Sequence, residues 1–342
     1  MTPAMDGLAA ALVSAGLTVS RDAPFGELTT YGVGGRCAVM VEGTGSVQAE
    51  EAAAVIARFP GVPLYVLGNG SNTLVSDDGF DGLVVRVLPS RNPGDFAVTV
   101  IDSTVRADGW MPLPVLARRS VAAGACGLEW AVGVPGTVGG AVRMNAGGHG
   151  AEVKDSLLSA AVVSLQTGSR AEIPVAGLGL HFRGSALGDT HLVLSALFSV
   201  KEPGGHDCAG EVASIVSWRR ANQPGGRNAG SVFVNPAPGD GSSGALIDAA
   251  GLRGFSCGGA AVSDKHANFI LAAHGATAAD VIAVMTAVQD GVENACGVTL
   301  RSEVRMVGFP AAIAGRFQAH DHAEGAVADA AAELRTGLGE SA

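Results

Sequence analysis

Two hydrophobic periods alternate along the first 200 residues, and they predict helices interleaved with short strands. Residues 1–17 and Ser46–Phe59 carry apolar positions on one helical face, and Gly61 is placed to end the second helix. A third helix is predicted at Met111–Ala123, where prolines in the first turn need no N–H partner. β-prone runs fill the intervals, at Ala38–Val41, Leu64–Leu67, Leu83–Val87, Ala97–Ile101, Ala160–Leu165 and Leu192–Val200.

The chain changes character at Lys201–Asp207, a stretch of proline, glycine and charge that predicts a domain boundary. Beyond it, the pattern predicts helices at Cys208–Ala221, Ala245–Ala250 and Ala278–Ala295 and strands at Phe269–Ala273 and Leu300–Val307. We therefore predict an α+β protein with units at 1–88, 89–204 and 205–308. The alanine-rich tail, 309–342, is predicted to be helical or disordered.

Composition narrows the function classes. Of 342 residues, 47% are hydrophobic and 16% charged, which is typical of a globular enzyme. The net charge of −10 argues against a nucleic-acid-binding protein. No run approaches the roughly 18 apolar residues of a membrane span, and the first residues lack the positive charge of a signal peptide. We therefore expect a cytoplasmic protein that acts without a membrane partner.

The five cysteines are widely spaced and form no Cys-x-x-Cys pair. Their pattern predicts neither a zinc site nor a disulfide framework. We expect free thiols, as in a reducing cytoplasm, and no metal site.

Glycine is concentrated in two segments that predict a phosphate site. Eight of the 24 residues of Gly127–Gly150 are glycine, punctuated by valines that indicate a packed backbone. Gly68–Asn72 follows a predicted strand and adds serine and asparagine. Such segments expose consecutive N–H groups and allow close approach of a ligand, as an anionic pyrophosphate requires. Each segment alone also fits an ordinary turn, and Thr73 breaks the dinucleotide fingerprint Gly-x-Gly-x-x-Gly.

Seven motifs carry a family resemblance. They are TTYGVGG from Thr29, LGNGSNTLVSDDGFDG from Leu67, GLEWAVGVPGTVGGAVRMNAGG from Gly127, FRGS from Phe182, GSVFVNP from Gly230, KHANF from Lys265 and EVR from Glu303. In this order they resemble the UDP-N-acetylenolpyruvoylglucosamine reductases, the MurB family, over roughly residues 25 to 308. The interval from Arg183 to Ser231 resembles the compact subclass without an extra substrate-covering loop.

The resemblance implies a two-subdomain FAD-binding fold, similar to the vanillyl-alcohol oxidase (PCMH) type, followed by an α+β substrate domain. FAD would be held noncovalently between the first two units. NADPH would reduce the flavin, and N5 would pass hydride to C3 of the enolpyruvyl ether of UDP-N-acetylglucosamine, giving UDP-N-acetylmuramate for peptidoglycan synthesis. We expect a monomer whose partner is this sugar nucleotide.

The resemblance also assigns residues. Arg183 would stabilise the enolate, Glu303 would act opposite it, and Ser231 would protonate C2. Substrate contacts would come from Asn235, His266 and Asn268. FAD contacts would come from Tyr31, Gly32, Gly34, Gly68, Asn69, Gly70, Ser71, Asn72, Val134, Pro135, Gly136, Thr137, Gly139, Gly140 and Asn145.

The chain departs from the family's pattern beside the predicted site. Phe182 stands where a tyrosine is common, and Val234 stands where many members carry lysine. Losing that lysine weakens the case for a strongly anionic substrate. Two alternatives therefore stay open: a flavin oxidoreductase of the same fold acting on another substrate, and a catalytically silent flavin-binding protein. The presence of Arg183, Ser231 and Glu303 speaks against the second.

Overall fold

The computed structural model describes residues 2–89, 96, 98–236, 240–317 and 334–340. Its helices are α1 (Pro3–Ser14), α2 (Gly45–Ile56), α3 (Leu113–Ala122), α4 (Val138–Met144), α5 (Cys208–Asn222), α6 (Ser243–Ala249), α7 (Ala278–Cys296) and α8 (Ala311–Phe317). None of these helices is both long and apolar enough to span a bilayer.

The strands form three principal sheets and two short pairs. They are β1 (Thr18–Ala23), β2 (Cys37–Thr44), β3 (Leu64–Leu67), β4 (Thr73–Val75), β5 (Phe80–Leu88), β6 (Val100–Ile101), β7 (Thr104–Asp108), β8 (Gly147–Gly148), β9 (Ala151–Glu152), β10 (Leu157–Ser164), β11 (Arg170–Pro174), β12 (His191–Ser199), β13 (Ser256–Cys257), β14 (Ala260–Val262), β15 (Ile270–Ala272) and β16 (Arg305–Val307). The mixture of helix and strand confirms the predicted α+β class.

The first sheet has the order β1-β2-β5-β3, with β2 and β3 parallel to β5. Its central strand, β5, is valine-rich and buried along its middle, as expected where both faces of a strand are covered. Helices α1 and α2 pack on one face through Leu8, Leu12 and Ile56, which are almost fully buried. This core also takes in Val163 of β10, so the first sheet is joined to the second by apolar packing.

The second sheet is antiparallel, in the order β11-β10-β12-β7-β6. Its core draws on α3, α4 and the segment between them, with Trp130 and Val138 buried. Helix α5 belongs here as well, since Ile215 packs in the same core and the Trp218 ring meets His149 at 5.1 Å. Helix α5 thus packs on the second sheet, although the predicted unit 205–308 includes it. The boundaries of the units stay predictions.

The third unit packs β13-β14-β15 against α7 around a core that also takes in Tyr31, Val33 and Leu74 of the first unit. Helix α7 begins at a capping box in which Thr277 and Asp280 exchange hydrogen bonds, and it ends at Gly297 in the left-handed conformation. The unit is tied back to the first by β16, which runs parallel to β4. That pairing brings the end of the third unit beside the glycine loop that precedes β4.

The described parts of the C-terminal tail are helical and packed. Phe317 of α8 is buried, and its carbonyl accepts the Ser302 N–H at 2.8 Å. Residues 334–338 are also helical, and Leu334 and Leu338 join the core of the second sheet. Of the two predicted outcomes, helix holds for these segments.

Cys126 and Cys208 form a disulfide, with Cα atoms 5.9 Å apart. The expectation of free thiols was wrong for this pair. Cys126 also pairs with Lys201 in an isolated antiparallel bridge. This pairing holds the segment that leads into α5 close to residue 126. Because 82 residues separate the two sulfurs along the chain, spacing alone could not reveal the contact.

Candidate functional site

Two glycine loops face each other across a cleft of about 420 Å³. We call it the glycine-lined cleft; its walls include Gly68–Thr73, Gly133–Thr137, Gly226 and Asn228–Ser231. A Cβ atom at Gly68 would lie 2.6 Å from the Thr137 hydroxyl oxygen, and one at Gly136 would lie 2.8 Å from the Ser71 hydroxyl oxygen. Side chains at these two glycines would therefore push the loops apart or fill the cleft.

The first loop presents main-chain donors. Within the described part of the chain, the N–H groups of residues 69–72 donate no hydrogen bond to the protein. Gly70 has φ +61° and bends the loop so that its carbonyl accepts the Thr30 N–H at 3.1 Å. Consecutive exposed N–H groups beside a positive-φ glycine form a site for phosphate oxygens. The residues present thus fit the pyrophosphate of a dinucleotide such as FAD.

A second cavity of about 680 Å³ lies next to the cleft and shares part of its wall. We call it the arginine-lined cavity, because Arg143, Arg183, Arg301 and Arg305 contribute to its wall. Arg183 and Glu303 line both spaces, so they stand at the junction. A group bound in the cleft and a group bound in the cavity would meet at this pair.

Arg183 is held in an unusual backbone conformation, with φ +59°. A positive φ is uncommon for a residue with a side chain and is found at functional sites. Its Nε lies 3.3 Å from a carboxylate oxygen of Glu303, and its Nη1 lies 3.8 Å from Glu152. The guanidinium also stacks over the Phe182 ring, 4.7 Å from its centre. Phe182, which lacks the tyrosine hydroxyl, therefore contacts Arg183 through its ring face.

Burial raises the pKa of Glu303 from 4.5 to about 7, although the charge of Arg183 and its hydrogen bond oppose the rise. Desolvation disfavours the charged carboxylate more than the neighbouring cation favours it. At neutral pH a substantial fraction of Glu303 is therefore protonated. Such a carboxyl can donate a proton or a hydrogen bond where negative charge develops.

Ser231 lines the same cleft as Arg183 and Glu303. The Glu303 N–H donates to the carbonyl of Val232 at 3.0 Å, so the chain after Ser231 runs beside the acid. The structure thus brings all three predicted catalytic residues to the wall of one cleft. Their roles remain predictions.

The predicted FAD contacts divide into two groups. Gly68, Asn69, Gly70, Ser71, Asn72, Val134, Pro135, Gly136, Thr137 and Gly140 line the glycine-lined cleft. The others lie behind its wall. Tyr31 is fully buried, Gly34 packs against the backbone of Val75, and the Gly139 N–H donates to the Gly109 carbonyl at 2.7 Å.

Two further residues of this second group brace the wall. Asn145 is fully buried, and its side chain joins the Lys154 N–H to the His181 carbonyl. A Cβ atom at Gly32 would lie 3.4 Å from the Arg227 side chain.

The predicted substrate residues lie outside the walls of both cavities. The Asn268 side chain is buried and bonds the N–H and the carbonyl of Phe233, at 2.9 and 2.8 Å. Asn235 accepts the Ser243 N–H at 3.0 Å, and His266 packs its ring against Phe269 at 4.8 Å. In this structure Asn268 supports the segment that carries Ser231, because both ends of its amide are already bonded there.

Sequence reasoning missed two residues that the fold adds to the site. Arg219, in the last turn of α5, lines the glycine-lined cleft, and its Nε donates to Gln223 at 2.7 Å. A carboxylate oxygen of Glu152 lies 3.8 Å from Nη1 of Arg183. For Arg219 the sequence did hold a signal, a basic residue at a helix end just before Gln-Pro-Gly-Gly. No local signal marked Glu152.

Comparisons with known proteins agree with this geometry. An FAD binding domain model matches residues 36–173, and the model of the UDP-N-acetylenolpyruvoylglucosamine reductase C-terminal domain matches residues 222–307. The second match begins at Asn222, the last residue of α5.

Proteins named UDP-N-acetylenolpyruvoylglucosamine reductase are similar over most of the chain. One from Synechococcus sp. strain WH7803 is 41% identical over 84% of this chain and 92% of its own length. One from Gloeobacter violaceus is 39% identical over 82% and 93%. The crystal structure of the reductase MurB from Thermus caldophilus matches with a TM-score of 0.71 and 31% identity, covering 85% of this chain and 99% of that one. The chain belongs to the UDP-N-acetylenolpyruvoylglucosamine reductase family.

Proposed function

We propose that this protein binds FAD noncovalently in the glycine-lined cleft and uses NADPH to reduce UDP-N-acetylenolpyruvoylglucosamine to UDP-N-acetylmuramate. The observation that carries the proposal is the placement of Arg183 and Glu303 at the junction of the cleft with the arginine-lined cavity. The names of the similar proteins support the same reaction.

The first loop and its partner would hold the cofactor. Main-chain N–H groups of residues 69–72 would bind the pyrophosphate, and the close approach at Gly68 and Gly136 would leave room for it. When bound, the flavin accepts hydride from NADPH and supplies it to C3 of the enolpyruvyl group. The protein must then stabilise the negative charge that develops on C2 and its carboxylate.

Arg183 and Glu303 suit that task. The guanidinium fork of Arg183 can bind the developing enolate through two N–H groups, and its position is held by Glu152 and by the Phe182 ring. Glu303, protonated because of burial, can donate a hydrogen bond to the same charge. Neither side chain has to reorganise far, since they already lie 3.3 Å apart.

Ser231 would deliver the proton to C2. A serine hydroxyl is a weak acid, so the transfer depends on the basicity of the enolate and on close positioning. The turn that presents Ser231 is held by the buried amide of Asn268 on Phe233 and by the Asn235 amide on Ser243. His266 supports the same wall through its contact with Phe269, which lines the cleft.

The proposal includes a cytoplasmic monomer. The location is supported by the substrates, since NADPH and nucleotide sugars are cytoplasmic metabolites. Size-exclusion chromatography with light scattering of the flavin-loaded protein should give one chain of 34.0 kDa.

An anaerobic two-step experiment tests the reaction. The purified protein should be yellow, NADPH should bleach it, and the enolpyruvyl sugar nucleotide should restore the oxidised spectrum without oxygen. UDP-N-acetylglucosamine, which lacks the enolpyruvyl group, should leave the flavin reduced. Flavin that stays reduced with the enolpyruvyl compound would point to another substrate, and a protein that cannot be loaded with FAD would contradict the proposal altogether.

A further inference from the structure

The Cys126–Cys208 disulfide joins two segments that contribute to the glycine-lined cleft. Cys126 directly precedes the glycine-rich segment Gly127–Gly150, and Cys208 is the first residue of α5. Both cysteines are buried, with 6% and 5% of their surface exposed. Structural disulfides are rare in a reducing compartment, and those that form there mostly sense redox state or take part in catalysis. In the proposed cytoplasmic location, we therefore expect this bond to open and close.

Helix α5 has few other anchors in the core. Of its 15 residues, all of which the structure describes, only Cys208 and Ile215 are buried. The chain before the helix is held at Lys201, which pairs with the main chain of Cys126. Between Lys201 and α5 lie two consecutive glycines, which would permit the start of the helix to shift. Opening the disulfide would therefore remove one of the two buried anchors of α5.

The other end of α5 belongs to the wall of the glycine-lined cleft. Arg219, in the last turn of the helix, lines the cleft, and so does Gly133. Ile215 packs closely on this glycine, since a Cβ atom at Gly133 would lie 3.1 Å from the Ile215 side chain. Residues 208 and 219 are about 16 Å apart along the helix axis, and a rigid helix carries a displacement over that distance. A shift at Cys208 would therefore change the wall that FAD contacts.

The buried carboxylate of Glu129 adds a second route from the sulfurs to the cleft. Its two oxygens accept the Gly127 N–H at 3.0 and 2.8 Å, and a carboxylate oxygen lies within 4.8 Å of both cysteine sulfurs. Thiols, unlike a disulfide, can donate weak hydrogen bonds. The reduced pair would therefore have an acceptor in Glu129, in competition with the N–H group that begins the glycine-rich segment.

We propose that the Cys126–Cys208 disulfide is a redox switch for FAD binding. When closed, the bond holds α5 against the glycine-lined cleft; when open, it lets α5 shift and lowers the affinity of the cleft for FAD. The inference goes beyond the proposed reaction, but it rests on the proposed FAD site and on the proposed location.

The reductant is a dithiol. One of its thiolates attacks a cysteine sulfur and forms a mixed disulfide, and its second thiolate then attacks the mixed disulfide and frees the protein. Two electrons and two protons thereby pass to the two cysteines, and the reductant leaves as its own disulfide. Oxidised glutathione reverses the exchange and leaves as two reduced glutathione molecules.

Release of FAD from the loaded protein measures the switch. Flavin fluorescence during serial dilution gives Kd for the disulfide-closed protein and for protein reduced with dithiothreitol. Reduction should raise Kd roughly 5- to 150-fold, the usual range of coupling between two sites, and should leave the circular dichroism unchanged. Because this comparison uses one wild-type chain, it does not depend on the folding of any variant.

Serine variants assign the effect to this pair of cysteines. Cys126→Ser and Cys208→Ser should each have the raised Kd of the reduced protein, with and without dithiothreitol. Cys257→Ser, which removes an exposed free thiol, is the matched control and should keep the wild-type response.

Thermodynamic linkage supplies a measurement that is independent of turnover. If reduction lowers the affinity for FAD, bound FAD must disfavour reduction by the same factor. The ratio of disulfide to thiols in dithiothreitol redox buffers, measured by alkylation and mass spectrometry, should therefore shift toward the disulfide when FAD is in excess.

The outcomes are distinguishable. Equal Kd values for the closed and the fully reduced wild type, with both thiols confirmed by alkylation, would refute the switch and leave the proposed function standing. A general loss of circular dichroism on reduction would also refute it, since the bond would then only stabilise the fold. So would a disulfide that dithiothreitol cannot open in the folded protein. The proposed function is tested separately on the disulfide-closed protein, whose reduced flavin must be reoxidised by the sugar nucleotide.

Discussion

Glu303→Gln should make the protein more stable than the wild type at alkaline pH, with the advantage growing as pH rises from 5 to 8. Glu303 is buried, and its pKa is raised from 4.5 to about 7, chiefly by desolvation. The folded state therefore holds the proton more tightly than the unfolded chain does. Between these two pKa values the wild type loses stability as pH increases, because folding then requires burial of a carboxylate. Glutamine has no proton to lose.

The size of the effect follows from the two pKa values. With 4.5 for the unfolded chain and about 7 for the folded one, the linkage relation gives a loss of roughly 2 to 3 kcal/mol between pH 5 and pH 8. Glu303 contributes most to the free energy of unfolding below its pKa in the unfolded chain. This contribution has vanished once pH passes its pKa in the folded protein. The difference in free energy of unfolding between variant and wild type should change by this amount over the same interval.

Chemical denaturation of the FAD-loaded proteins at several pH values measures that difference. Glu51→Gln is the matched control, since Glu51 is an exposed glutamate of α2, and it should show no pH-dependent difference from the wild type. A second readout is the anaerobic reoxidation step. Its rate in the wild type should fall with an apparent pKa near 7 if the neutral acid is required, and that limb should be absent in Glu303→Gln.

Parallel pH–stability curves for Glu303→Gln and the wild type would refute the reasoning. They would mean that Glu303 has an ordinary pKa in the folded protein, through water in the cavity or a stronger pairing with Arg183. The assignment of Glu303 as a neutral donor at pH 7 would then have to be abandoned. A pH limb that persists in the glutamine variant would instead assign the titration to another group.

The remaining predictions concern the proton donor, the support of Arg183 and the disulfide. Ser231→Ala should leave flavin reduction by NADPH unchanged and slow reoxidation roughly 100- to 10,000-fold, the usual contribution of a positioned acid; equal slowing of both steps in stopped-flow traces would contradict its role. Glu152→Gln should lower the apparent pKa of the reoxidation limb, because Arg183 would then lie closer to the remaining carboxylate, while the isosteric amide preserves packing; an unmoved limb would argue against this coupling. Cys126→Ser should lower the free energy of unfolding by about 2 to 4 kcal/mol relative to oxidised wild type, and dithiothreitol should abolish that difference if the bond to Cys208 is its source.

Local signals in the sequence predicted most of the fold. Helices at Cys208–Ala221 and Ala278–Ala295 are present with nearly the predicted ends, because a polar N-cap, Asp207 or Thr277, begins each of them. Short strands were harder. Arg170–Pro174 alternates exposed and less exposed residues over only five positions, too few to be recognised in the sequence, and β10 pairs with it along its whole length. The sheet on which α5 packs could not be predicted, because packing partners, unlike helix ends, leave no mark in the local sequence.

In the site, too, some features have a local signal in the sequence and others are visible only in the fold. The loops at Gly68–Asn72 and Gly133–Thr137 could be predicted because exposed donors and close backbone approach demand glycine. The sequence could not show what Asn268 bonds, because a polar residue in a family motif has the same letter whether it binds substrate or supports a turn. Its side-chain amide bonds the main chain of Phe233, which only the fold reveals, and its role toward substrate stays a prediction.

One long-range pairing brings the Gly68–Asn72 loop next to Glu303. The side-chain amide of Asn72 donates to the Glu303 carbonyl at 2.7 Å, and the main-chain carbonyl of Asn72 accepts the Arg305 N–H at 2.9 Å. The loop is therefore bonded to the main chain on both sides of residue 304. Parallel pairing of β4 with β16 continues this register. A slip of one residue would turn Glu303 to the opposite face, since side chains alternate along extended chain. The Asn72 amide therefore does more than line the glycine-lined cleft: it fixes which face of the segment carries the acid, and it does so between residues 231 positions apart in sequence.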